Sequence, residues 1–146
     1  MEKLKRAVNR ISSFDVYCGT TLGNFITCTS KSEEQIYYDK SREGKHKHQE
    51  FYWALQFRRA ESYATPLAEY LNQVPLIMQG RIPISHLLEA LGHFEGKMPE
   101  GYLFPVKKIW VPKEGMDWRT QYKNEYSIRE ILEEKDPKEF LIQLSN

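Results

Sequence analysis

Residues 45–72 read KHKHQEFYWALQFRRAESYATPLAEYLN, the longest uninterrupted helical pattern in the chain and its densest aromatic cluster. Placed on a wheel at 100° per residue from Phe51, the residues Trp53, Phe57, Ala60, Tyr63, Ala64, Leu67 and Leu71 fall on one broad side. Tyr52, Ala68 and Tyr70 flank it. A side that wide is buried against two neighbours, as in the central helix of a small domain. Phe51, Leu55, Arg58, Ser62 and Glu69 fall opposite, so Phe51 and Leu55 form either a second internal contact or an outward apolar spot beside Arg58 and Arg59. Pro66 removes one backbone hydrogen bond and clashes with the carbonyl four residues back. Thr65 before it suits an N-cap, and proline suits the first helical position. The pattern therefore predicts a helix from about His48 to Tyr63, a break, and a short helix from Pro66 to Asn72.

A basic loop leads into this stretch. Residues 40–48 read KSREGKHKH, and Phe51, Tyr52 and Trp53 follow directly. Between residues 40 and 59 lie Lys40, Arg42, Lys45, Lys47, Arg58 and Arg59 against Glu43 and Glu50, with His46 and His48 adding charge below neutral pH. Basic side chains beside aromatic rings suit a phosphate-bearing partner whose bases stack. Lys45, His46, Lys47, His48, Phe51, Arg58 and Arg59 are the candidate ligand-binding residues. Lys108 and Trp110, on one face of a later strand, extend the set. The competing reading is a solvated loop with the aromatics in the core.

Residues 2–11 place Leu4, Ala7, Val8 and Ile11 at helical spacing, a short amphipathic helix with a basic face. Residues 14–39 read as strands. A turn at Leu22-Gly23-Asn24 sets Cys18 opposite Cys28 and puts Phe14, Val16, Cys18, Ile26 and Cys28 on one face. A third strand, Gln35 to Asp39, completes a meander. The two cysteines read as buried small apolar residues, against a redox disulfide or half a metal site. Residues 73–82 are a connection with an apolar centre, a short strand or a packed loop. Ser85 or the preceding Pro83 opens a helix that runs to about Phe94, with Ile84, Leu87, Leu88, Leu91 and Phe94 as its buried stripe. Its opposite face carries His86, Glu89 and His93, which reads as a solvated face ahead of a metal site. Tyr102 to Val111 read as a strand. Pro105 confines it to a sheet edge or to a start at Val106, and Lys107 and Lys108 protect that edge. Residues 113–126 lack periodicity. A capping box, Ser127 with Glu130, opens acidic terminal helices.

The 146 residues suit one domain over 1–146. With 40% apolar and 28% charged residues it is expected to be globular. Formal net charge is only +1, yet residues 1–60 carry 11 Lys/Arg against 7 Asp/Glu, and residues 61–146 carry 10 against 13. That asymmetry permits a basic and an acidic face. No apolar run spans a membrane, no signal-peptide core opens the chain, and two cysteines make no secreted disulfide framework, so a cytoplasmic protein without membrane contact is expected.

The expected fold class is α+β: a small, mostly antiparallel sheet, built from an N-terminal β-meander plus one edge strand, packed against a long central helix and shorter helices. No P-loop, dinucleotide fingerprint, zinc-protease, kinase or nucleophile-elbow pattern occurs. The first functional reading is a non-enzymatic binding protein, without a cofactor, whose basic-aromatic surface meets nucleic acid or a nucleotide. The second is a protein-binding inhibitor or adaptor acting through Phe51 and Leu55 or the acidic C-terminal helices. The third is a metal-dependent phosphodiesterase assembled from His46, His48, His86 and His93.

Overall fold

A computed structural model of the chain describes residues 13–32, 35–43, 51–83, 85–86, 95–98, 101–111, 124–127, 130 and 133. The strands are β1 (Ser13–Thr21), β2 (Thr29–Ser32), β3 (Gln35–Tyr38), β4 (Tyr52–Ala54), β5 (Pro75–Pro83), β6 (Glu95–Lys97), β7 (Phe104–Val111) and β8 (Asn124–Ser127). Among the described residues the helices that join them are α1 (Leu22–Cys28) and α2 (Phe57–Leu71), with a 3-10 turn at Lys40–Arg42.

All strands belong to one antiparallel sheet in the order β2-β3-β7-β5-β1-β4-β6. The eighth, β8, pairs with β7 beyond the segment that β3 covers. This overturns the expected small sheet against a long central helix and shorter helices: the sheet dominates, and α2 is applied to one of its faces.

The long middle strands follow from composition. In β1, Val16, Cys18 and Thr20 are buried while Asp15 and Tyr17 are not. That period of two is what a strand with unequal faces requires. β5 runs antiparallel beside it over nine residues, from Ser13–Pro83 to Thr21–Pro75. Its Leu76, Ile77 and Met78 are wholly buried, as fits a strand covered on both faces. Across this pair Asp15 accepts from Arg81 at 3.3 Å and meets Lys107 of β7 at 3.6 Å. Both are exposed pairs of the kind that set register more than stability.

The larger core lies on the face carrying Val16, Cys18, Met78, Val106 and Ile109, where Leu22, Phe25 and Cys28 of α1 cover it. The sheet curls around this face. Three strands separate β3 from β4 in the sheet order, yet the rings of Tyr38 and Phe51 meet at 5.3 Å. On the other face Gly19, Ile77 and Trp110 lie abreast in register, and α2 lays Ala60 and Ala64 on them. The approach is close because Gly19 has no side chain: a Cβ there would stand 2.1 Å from the Ala60 carbonyl oxygen and 2.7 Å from the Ala64 nitrogen.

Local readings change with this topology. The predicted helix from His48 to Tyr63 is instead β4 followed by the first half of α2, and α2 continues through Pro66 to Leu71 without the expected break. Phe51 and Trp53 point into the larger core while Tyr52 stacks on Tyr63 of α2, an alternation that aromatic residues favour in strands. Asn72 closes α2 in the left-handed conformation at φ 52°, and Gln73 donates back to the Ala68 carbonyl. The expected hairpin turn at Leu22–Asn24 is helical. Thr21 caps α1 by accepting from the Asn24 amide at 3.1 Å, and Thr29 donates to the Phe25 carbonyl at its end. Cys18 therefore lies beside Met78 and Trp53 rather than Cys28, and both cysteines are buried free thiols.

β7 is central, not an edge: β5 lines one side and β3 with β8 the other. Pro105 is tolerated at an irregularity, where the β5 register jumps between Gln79–Lys108 and Gly80–Val106. The Pro105 carbonyl faces Gly80, so its missing N–H falls on the side where the ladder is already interrupted. Ser85 and His86 are helical, while the rest of that predicted helix, the N-terminal helix and most of the C-terminal helices lie outside the described residues. Among the described residues no helix is long and apolar enough to cross a membrane.

Candidate ligand cleft

The pairing of β1 with β4 ends at Cys18–Trp53. The next residues of the two chains, Gly19 and Thr20 on one side and Tyr52 and Phe51 on the other, line a cleft of about 410 Å³. The second half of α2 forms its far wall with Ser62, Tyr63, Pro66, Leu67 and Tyr70, and Glu43 closes one end. The rings of Tyr52 and Tyr63 are stacked, 5.4 Å apart at 15°. Tyr70 is 73% exposed and gives the wall an aromatic rim.

A polar chain runs through the floor. The Tyr38 hydroxyl donates to Glu43 Oε1 at 2.7 Å and lies 3.1 Å from Thr20 Oγ1. Burial first, then the Glu43 charge, pushes the Tyr38 hydroxyl well above its ordinary pKa, so it keeps its proton at neutral pH. Burial likewise raises Cys28 to about 11, an effect that its contact with the Tyr38 hydroxyl partly offsets, and raises Cys18. At the other end of the wall the Tyr63 hydroxyl donates to Glu95 of β6 and is pushed up to about 12, by burial and then by that carboxylate. Arg59 grips the same carboxylate with two hydrogen bonds, Nε to Oε2 at 3.0 Å and Nη2 to Oε1 at 2.9 Å. This fork ties α2 to β6 and holds the tyrosine wall in place.

The candidate residues read from sequence are placed as follows. Lys45, His46, Lys47 and His48 lie outside the described residues. Phe51 is only 6% exposed and contributes to the cleft wall from the core side. Arg58 is exposed on the first turn of α2, while Arg59 is engaged with Glu95. Lys108 and Trp110 sit on the α2 face of β7, opposite the face that holds Phe51. Trp110 packs against Tyr17 at 5.8 Å and edge-on to Phe57 at 5.4 Å. The structure thus places Phe57 and Trp110 together and separates both from Phe51, which lies in the larger core. Nor do Phe51 and Leu55 form an outward apolar spot, since Phe51 is buried and Leu55 packs on the same core.

Thr20, Tyr38, Glu43, Tyr52 and Tyr63 are not among the candidate binding residues read from the sequence. Of the histidines, His86 sets its ring edge-on to Tyr102 at 5.8 Å, and His46, His48 and His93 lie outside the described residues. Among the described residues no group of three or more His, Cys, Asp or Glu side chains could hold a metal ion. No family model, curated protein or solved structure matches the chain.

Proposed function

We propose that the protein is a non-enzymatic binding protein for a nucleotide or for single-stranded nucleic acid, taking one base into the cleft between β1, β4 and α2. The observation that carries this reading is the cleft wall: two stacked tyrosines, a third at the rim and a hydrogen-bonding floor. A planar heterocycle gains stacking from such rings whatever its identity, and the volume lies within the range of small-ligand sites. Phosphate would be met by the neighbouring basic segment. Glu43 and Phe51 both line the cleft, and the chain between them is GKHKHQE, which keeps Lys45 and Lys47 within four residues of Glu43 in sequence.

Titration of the purified protein with mononucleotides and with short single- and double-stranded DNA and RNA, at low and physiological salt, tests the reading. Single strands are expected to bind more tightly than duplexes and to weaken with salt. Tyr52→Ala should cost about 1–3 kcal/mol of that binding, the worth of one stacked base. Lys45→Ala with Lys47→Ala should flatten the salt dependence by roughly 1.4 in the log–log slope. Unchanged affinity in a folded Tyr52→Ala protein would remove the cleft from the binding site.

A further inference from the structure

We propose that the cleft takes a single strand rather than a mononucleotide, with one base on the Tyr52–Tyr63 stack and a following base on Tyr70; this rests on the nucleotide reading above and deepens it. The cleft is long in the direction of α2. Its wall runs from Ser62 to Tyr70, eight residues on, which is about 12 Å of helix. Consecutive bases of a stacked strand lie about 3.4 Å apart. One base therefore fills only part of the wall.

The remainder of the wall is aromatic and apolar. Tyr63, Pro66, Leu67 and Tyr70 recur at steps of three and four, which keeps them on one face of the helix. Tyr63 and Leu67 are half-buried, while Pro66 and Tyr70 are exposed. Pro66 costs α2 a main-chain hydrogen bond and lies in the cleft wall between the two tyrosines. Tyr63 and Tyr70 are seven residues apart, about 10.5 Å along the axis, which is the length of three base steps. A single base cannot reach both rings, whereas a strand of two or three nucleotides can. Tyr70 is 73% exposed, so a base settles on it without displacing a buried neighbour. An aromatic side chain that open to water gains by being covered, and stacking on it asks for a flat ring rather than for one particular base.

The test is a titration, followed by intrinsic fluorescence, with thymidine 5′-monophosphate, thymidine 3′,5′-bisphosphate and oligothymidylates of two, three, four and eight nucleotides, which form no duplex. The trinucleotide is expected to bind about 5- to 150-fold more tightly than the bisphosphate, the value of one further stacked base. The bisphosphate supplies added charge without an added base, so that ratio isolates stacking. Tyr70→Ala, at an exposed position whose truncation leaves the fold intact, should bring the two affinities together. Tyr70→Phe, which keeps the ring, should keep them apart. Tyr52→Ala should weaken both and leave their ratio in place. Equal affinity of the bisphosphate and the trinucleotide, or a ratio that Tyr70→Ala leaves unchanged, would overturn the two-ring footprint while the nucleotide reading stands. Failure of every nucleotide and strand to bind, with or without binding of a proline-rich peptide along the same aromatic line, would overturn the nucleotide reading itself.

Discussion

Gly19→Ala is expected to destabilise the protein by about 3 kcal/mol, the upper end of the usual cost of overpacking. The added methyl would stand 2.1 Å from the Ala60 carbonyl oxygen and 2.7 Å from the Ala64 nitrogen. Both are backbone atoms of α2, so no rotamer change relieves the overlap, and the helix must lift from the sheet. The small gain from restricting the unfolded chain, about 0.4–1 kcal/mol, does not offset this. A drop of roughly 6–12 °C in the melting midpoint is the corresponding observation. Gly101→Ala provides the contrast. That residue sits at φ +78° with nothing within 4 Å of its missing Cβ, so its cost is conformational, about 1–2 kcal/mol. Because Gly19 also lines the cleft, its alanine variant should lose ligand affinity as well as stability, whereas Gly101→Ala should lose only stability. A Gly19→Ala protein within about 0.5 kcal/mol of the original, the usual scatter of surface substitutions, would contradict the placement of α2 on β1.

The strands that alternate cleanly were legible: the first strand, the stretch beginning at Gln35 and the Tyr102–Val111 segment all appear in the sheet. What failed was the assignment of short aromatic runs and the order of the strands. Phe51, Tyr52 and Trp53 fit a helical wheel and a strand equally well over three residues. The outcome is decided by partners far away in sequence, Tyr17 and Cys18 on one side and Gly96 on the other. The Thr21–Cys28 segment misled for a different reason. Its Leu-Gly-Asn triplet has turn composition, but Thr21 supplies an N-cap and Gly23 lies against the side chain of Gln73, so the chain coils instead. Pro105 and the two lysines of β7 resembled edge markers because a local irregularity opposite Gly80 cannot be read from one strand alone.

The site was less legible than the fold. Sequence reasoning finds what is contiguous: of the stretch it singled out, Lys45, His46, Lys47 and His48 lie outside the described residues, and Phe51 lines the cleft. Thr20, Tyr38 and Glu43 are separated by 18 and 5 residues, and their types are ordinary at each place. They become a polar chain only because the sheet curls until β3 faces the end of β1. The cleft itself arises where β1 and β4 part after Cys18 and Trp53, an event with no residue signature of its own. Arg59 shows the converse. Composition places it with the free cations of the helix, whereas a carboxylate 36 positions away holds it as a strut for Tyr63.

Trp53→Ala should be the most costly single truncation on the cleft side of the sheet, about 3–5 kcal/mol. Trp53 is the largest of the wholly enclosed side chains, 1% exposed, and the indole lies over Gly96 on the edge strand, where a Cβ would meet the ring at 2.5 Å. Gly96 has no side chain with which to fill the space, and β4 and β6 are each only three residues long, so their main-chain pairing holds little by itself. The void therefore persists or the edge detaches, and either route carries nearly the full cost of the lost burial. For a domain of this size the melting midpoint should fall by about 6–20 °C. Against a typical total stability of about 5–15 kcal/mol, such a loss leaves a measurable unfolded population. Trp110→Ala provides the comparison, since Trp110 is only partly buried and should cost less. The edge also carries Glu95, the anchor of Arg59 and Tyr63, so a folded fraction of Trp53→Ala should bind ligand more weakly while Trp110→Ala binds normally. Equal losses of stability in the two variants would mean that the β4–β6 edge is not held by its tryptophan. Equal losses of binding would move the ligand out of the cleft, along the α2 face to Lys108 and Trp110.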